Sequence, residues 1–191
     1  ILSNTEFDQE TIYKLINNRL KSVKEYGDII NTTASIFNIP GLSNDLIKSV
    51  VDALYSYSNS IDKKIYAGFP YFNEFWIRDA LVLLPSYLSI NQIQFSKHII
   101  SKISNMINDK GLPNVEFSDL YPMDTPALFL IDLYEVFTRD FDKDLILNNK
   151  DKIDKILNLL NKRLENGLIH DNGFETWMDS INREFSIEIQ A

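Results

Sequence analysis

The chain has 191 residues, 45% of them hydrophobic, which suffices for one well-buried domain and is short for two with independent cores. Nineteen basic residues stand against 27 acidic ones, a formal net charge of −8, with no Lys/Arg stripe interleaved with aromatics; this excludes nucleic acid as the expected partner. The absence of cysteine excludes disulfides, thiolate chemistry and Cys-based metal sites, and fits an expected reducing, cytoplasmic setting. No run reaches the roughly 18 apolar residues that span a bilayer, so no membrane partner is expected. The start, Ile1-Leu2-Ser3-Asn4, has no basic region ahead of an apolar core and no initiator Met, while Ser186 to Ala191 reads as the opening of a further apolar element. The expectation is an internal piece of a longer polypeptide.

In chain order, apolar spacings of three and four predict a first helix over 11–29, with Ile12, Leu15, Ile16, Leu20 and Val23 on one face and Asp8 and Thr11 as start signals. Pro40-Gly41 then breaks the chain. Further helices are predicted near 44–58, 76–89, 92–108, 124–139 and 149–165, separated by turn signals such as Asn-Asp-Lys-Gly at 108–111 and Glu-Asn-Gly at 165–167. The helices at 44–58, 92–108 and 149–165 each carry one apolar stripe, whereas those at 76–89 and 124–139 are apolar nearly all round. Amphipathic and buried helices in alternation suit concentric outer and inner rings, and also suit a solenoid with one masked face. No 33- or 34-residue consensus recurs, which favours the rings. The expected class is all-α.

Polar and aromatic residues gather at the N-terminal edge of each predicted inner helix. Tyr66 to Asp79 leads into the first, and Gly111-Leu112-Pro113-Asn114 to Tyr121-Pro122-Met123-Asp124 into the second. Phe174-Glu175-Thr176-Trp177-Met178-Asp179, followed by Arg183 and Glu188, leads into a third. Inner helices sharing a direction would collect these edges into an acidic pocket walled by rings. Such a pocket suits sugars, whose C–H faces pack on aromatics and whose hydroxyls bond carboxylates and Arg. Paired carboxylates can also hydrolyse a glycosidic bond, one protonating the leaving oxygen and the other activating water.

These residues resemble a known family. Ala67-Gly68-Phe69-Pro70-Tyr71-Phe72 with Arg78-Asp79 is similar to the "AGYPWF…RD" signature of the amylo-α-1,6-glucosidase part of glycogen-debranching enzymes, and Trp76-Ile77-Arg78-Asp79 to the glucoamylase "W-x-R-D" motif. Leu112-Pro113-Asn114, then Asp124 with Pro126 and Phe129, Thr176-Trp177-Met178-Asp179, and Ile187-Glu188-Ile189-Gln190-Ala191 follow in family order. The sequence departs from the pattern by one extra residue between Phe72 and Arg78, and by Leu128 where Trp is usual. The resemblance implies an (α/α)6 barrel with alternating outer and inner helices, of which residues 41–191 would form about the first half, preceded by a linker helix and connection at 1–40. It implies inverting, exo-acting release of glucose from α-glucans, with no metal and no organic cofactor. By the same resemblance Asp179 is the general acid, with a pKa raised by burial or by carboxylates such as Glu175 or Glu188. Arg78 and Asp79 hold glucose hydroxyls, Tyr71, Trp76 and Trp177 wall the pocket, and Asp124 and Glu188 bind substrate. The catalytic base, roughly 6.5–9.5 Å from the acid in an inverting enzyme, is expected beyond residue 191. The fragment alone is then expected to be inactive, and to need the rest of its barrel or to self-associate.

Plainer readings stand beside these. Asp79 and Asp124 are also good helix-start residues, Asp179 a good cap, and Trp76 and Trp177 ordinary core residues in most helical proteins. Glu175 is an alternative acid. His98 and His170 lie far apart without a ligand pattern, so no metal site is expected. The competing functions are a glucoamylase- or trehalase-like α-glucosidase and a non-catalytic carbohydrate-binding helical barrel.

Overall fold

The computed structural model describes residues 9–37, 40–59, 64–68, 71–173, 175–177, 182, 185 and 190. The chain divides after Ala53 into two compact units. In the first, α1 (Gln9–Ser35) outruns the predicted 11–29 at both ends. Among its described side chains, Leu15, Ile16, Leu20 and Val23 of the expected apolar face are all at least half exposed, and the buried ones, Ile30, Thr33 and Ala34, fall in the last turns. Ser43 opens α2 (Asn44–Ser56), its Oγ accepting the Leu46 N–H at 3.2 Å, which satisfies a donor the helix leaves free. Ile47 and Val51 are buried, while Leu46 and Val50 of the same predicted stripe are exposed.

The second unit is built on three mutually packed helices, α3 (Ile77–Ser89), α4 (Ile93–Ser104) and α5 (Asp124–Asp140). Their facing sides supply Leu81, Leu84 and Tyr87 from α3, Ile99, Ile100 and Ile103 from α4, and Phe129, Leu133 and Val136 from α5, all buried. Full burial of one such side chain contributes about 1.5–3 kcal/mol, so this cluster is the chief attractive contribution to the unit. The amphipathic reading of 92–108 matches this packing. The two helices read as apolar all round bury one side and leave Val82, Ile131 and Tyr134 more than half exposed on the other. Short antiparallel pairs add β1 (Ser58–Asn59) with β2 (Lys64–Ile65) after α2.

The single helix predicted at 149–165 is a shorter helix followed by a strand, and an unpredicted short helix precedes it. Asp142 caps α6 (Lys143–Asn148), accepting the Asp144 and Leu145 N–H groups at 3.0 and 3.2 Å. After Asn149, α7 (Lys150–Lys162) follows, and then a hairpin of β3 (Leu164–Glu165) and β4 (Leu168–Ile169). Asn166 (φ 51°) and Gly167 (φ 84°) form its two-residue turn. Positive φ at both centres is what a type I′ turn demands, and Asn-Gly meets it with least strain. Gln190 binds the outer side of this hairpin, its Oε1 accepting the Ile169 N–H at 2.9 Å and its Nε2 donating to the Ile169 carbonyl at 2.6 Å. The described elements are those of an all-α fragment of a helical barrel.

Candidate active site

The N-terminal ends of α3 and α5 meet. Arg78 lies in the first turn of α3, and Asp124 is the first residue of α5. Arg78 Nη2 donates to Asp124 Oδ1 at 3.0 Å. Its Nε lies 2.9 Å from Oδ2, an ionic contact whose N–H is not aligned for a hydrogen bond. Oδ2 instead accepts the backbone N–H of Trp177 at 3.1 Å. One carboxylate thus ties together two helix ends and the 175–177 segment. That segment is fastened a second time where the Met123 N–H donates to the Glu175 carbonyl at 2.7 Å.

Arg78 borders two cavities. One, of about 410 Å³, is lined by Arg78, Asn114, Tyr121, Glu175 and Thr176 among others, and the other, of about 390 Å³, by Arg78, Val82, Asp124, Leu128 and Trp177. Leu128, the departure from the family pattern, therefore faces the second cavity. Trp177 is 61% exposed, so its ring is open to a ligand.

A backbone frame fixes the approach to α3. Trp76 pairs with Val115 in an isolated antiparallel bridge. The Ile77 N–H donates to the Asn114 carbonyl at 3.0 Å, the Glu116 N–H to the Phe75 carbonyl at 3.1 Å, and the Asn114 N–H to the Leu120 carbonyl at 2.7 Å. Glu116 is further held by Lys64 at 2.6 Å and Lys102 at 3.8 Å. Within this frame Trp76 Nε1 and Asn114 Oδ1 are buried without a hydrogen-bond partner among the described residues. A buried donor or acceptor left unpaired costs about 1–3 kcal/mol, which a bound hydroxyl or water can offset.

Burial pushes the Asp124 carboxyl above its ordinary value, against the pull of Arg78 and of the N–H donors of Trp177 and Thr125. Burial likewise raises Asp79, against a backbone hydrogen bond and the adjacent Arg78. The Glu175 carboxylate is occupied by Arg163 at 3.3 and 3.5 Å and by the Asn172 backbone and side-chain N–H groups at 2.7 and 3.0 Å. Asp171 Oδ1 accepts the Gly173 N–H at 2.6 Å, closing the turn before it.

Of the residues expected from sequence, the structure gathers Arg78, Asp124 and Trp177 at the cavities, with Trp76 as the N-cap of α3 and Asp79 in its first turn. Tyr71 is 87% exposed and lines neither cavity. Asp179 and Glu188 lie outside the described residues. Asn114, Tyr121 and Thr176 are not among the site residues expected from sequence, although each falls inside a segment read as polar and aromatic; the amide of Asn114 and the hydroxyl of Thr176 carry no charge or ring to single them out, and Tyr121 is one ring among the many of those segments. Among the described residues, no group of three or more His, Cys, Asp or Glu could hold a metal ion.

Comparison with known families matches residues 48–188 to amylo-alpha-1,6-glucosidase. No curated protein and no solved structure gives a significant match. The matched span takes in both cavities and the three segments that build them, so the chain belongs to the amylo-alpha-1,6-glucosidase family and carries a glycoside hydrolase-related domain, a family membership that implies a carbohydrate substrate.

Proposed function

We propose that this domain supplies the glucose pocket and the general acid of an inverting, exo-acting α-glucosidase that releases glucose from branched α-glucans. The observation that carries the proposal is the Asp124 junction, which brings Arg78 of α3 and the backbone of Trp177 to one point beside two cavities. In this reading Arg78 and Asp79 hold hydroxyls of the terminal glucose, Asp124 orients Arg78 and binds substrate, and Trp76, Trp177 and Tyr71 offer ring faces. Asp179, two residues after Trp177, protonates the departing oxygen, and Glu188 shapes the pocket. The occupied carboxylate of Glu175 supports Asp179 over Glu175 as the acid. Residues 1–40 act as a linker ahead of the barrel, whose first half is 41–191.

The test uses the full-length protein. With a branched limit dextrin it should release glucose of β-configuration, followed by NMR, and Asp179→Asn should abolish turnover while retaining oligosaccharide binding. Hydrolysis by that variant would remove Asp179 from the acid role, and binding without hydrolysis by the unaltered protein would favour a carbohydrate-binding barrel. Faster release from maltose or trehalose than from limit dextrin would shift the substrate class.

A further inference from the structure

The loop between the stems of the first cavity carries a feature that the glucose pocket does not use. Asn114, Asp119 and Leu120 line that cavity, and the chain between them turns back on itself, with the Ser118 N–H donating to the Val115 carbonyl at 2.9 Å and the Leu120 N–H to Ser118 Oγ at 3.1 Å. Phe117 stands in this turn. It is 97% exposed and has φ of 70°, a left-handed conformation that a bulky aromatic residue rarely adopts. A fully exposed ring gains nothing from burial, and a strained backbone costs stability, so the arrangement has two costs and no packing benefit. The loop is nonetheless held firmly, by the Trp76–Val115 bridge on one side and by Glu116 with Lys64 and Lys102 on the other. Two residues on, Asp119 presents a side chain that is 95% exposed, with Lys110 only at 4.0 Å.

We infer that this loop is a second sugar-binding platform, in which the Phe117 ring stacks on a glucose unit of the α-glucan chain outside the pocket and Asp119 accepts hydrogen bonds from its hydroxyls. An open ring beside an open carboxylate is the pairing that a pyranose takes, one for its C–H face and the other for its rim. The chain path fits: Phe117 is two peptide units from Asp119 at the cavity edge, at most about 7 Å. A protein surface fits less well, because the neighbours of Phe117 in sequence, Glu116, Ser118 and Asp119, are all polar. The inference rests on the proposed carbohydrate activity and names the residue that selects for longer chains.

In the full-length protein, kcat/KM is measured for a long-branched α-glucan and for a short α-1,6-linked oligosaccharide, with maltoheptaose binding followed by calorimetry. Phe117→Ala should lower the long-to-short kcat/KM ratio about tenfold and weaken maltoheptaose binding by a similar factor. Phe117→Gly, which relieves the backbone, should share the loss, whereas Phe117→Trp should retain the ratio. An unchanged ratio in Phe117→Ala, or a ratio restored by Phe117→Gly, overturns the platform while leaving the proposed activity standing. A loss that accompanies a change in sedimentation assigns the ring to a protein contact and overturns it equally. If the unaltered protein neither binds nor cleaves any α-glucan, platform and proposed activity fall together.

Discussion

Arg78 and Asp124 form a charge pair almost removed from water, with side-chain exposures of 15% and 5%. Deleting one partner leaves the other buried and uncompensated, a loss of about 3–5 kcal/mol. Arg78→Leu should therefore lower the urea midpoint strongly, and adding Asp124→Leu should recover part of the loss; strict additivity in that cycle would mean the pair is not coupled. Asp132 is a different case. It is 2% exposed, its Oδ2 has no partner among the described residues, and burial followed by repulsion from Glu135 pushes its pKa up to about 8. The folded state then holds a proton that the unfolded chain releases near the ordinary carboxylate value. The stabilising contribution is complete below that value, declines as pH rises, and is gone above about 8. Unfolding at pH 5 and pH 8 should show stability falling across that interval, and Asp132→Asn should flatten the slope. At this scale the sequence exposed the charged and ring-bearing residues Arg78, Asp124 and Trp177, because their chemistry is visible in one letter. It concealed Asn114, whose importance comes from a carbonyl accepting Ile77 N–H and a side-chain oxygen left unpaired, both facts of three-dimensional placement.

Periodicity located α3, α4 and α5 to within a few residues, since each has an apolar stripe long enough to outweigh local turn preferences. It ran 149–165 together with too few breaks. The reason is local: Leu160 and Leu164 keep a helical spacing through Arg163, but Asn166-Gly167 favours a tight turn and the chain pairs Leu164 with Ile169 instead. Gly167 has open space around a notional Cβ, so Gly167→Ala should act through its φ of 84° alone and destabilise by about 1 kcal/mol, measured by thermal unfolding. An effect near zero would show that the hairpin is dispensable to the fold. A second element-level test is Tyr87→Phe. The Tyr87 hydroxyl donates to the Leu54 carbonyl at 2.5 Å from a ring that is 1% exposed, and its loss should cost about 1–3 kcal/mol through the unpaired carbonyl.

Across the molecule, apolar side chains are distributed unlike those of a protein with every helix face covered. In the first unit α1 presents Leu15, Ile16, Leu20 and Val23, and in the second α3 and α5 present Val82, Ile131 and Tyr134. Exposed apolar faces of this kind promote association. The 191-residue chain should sediment above its monomer mass, and Ile131→Glu should shift it toward monomer; a monomeric unaltered chain would count against the expectation. The alternating helix characters announced that some faces would be apolar on both sides, but sequence pattern carries no information on what lies against them. Thr176 borders one cavity and Trp177 the other, with Arg78 common to both, so the guanidinium and this short stretch of backbone act as a partition. Shortening residue 78 should join the two cavities into one corridor, and under the proposed release of glucose from chain ends the altered protein should then also accept internal positions of a glucan.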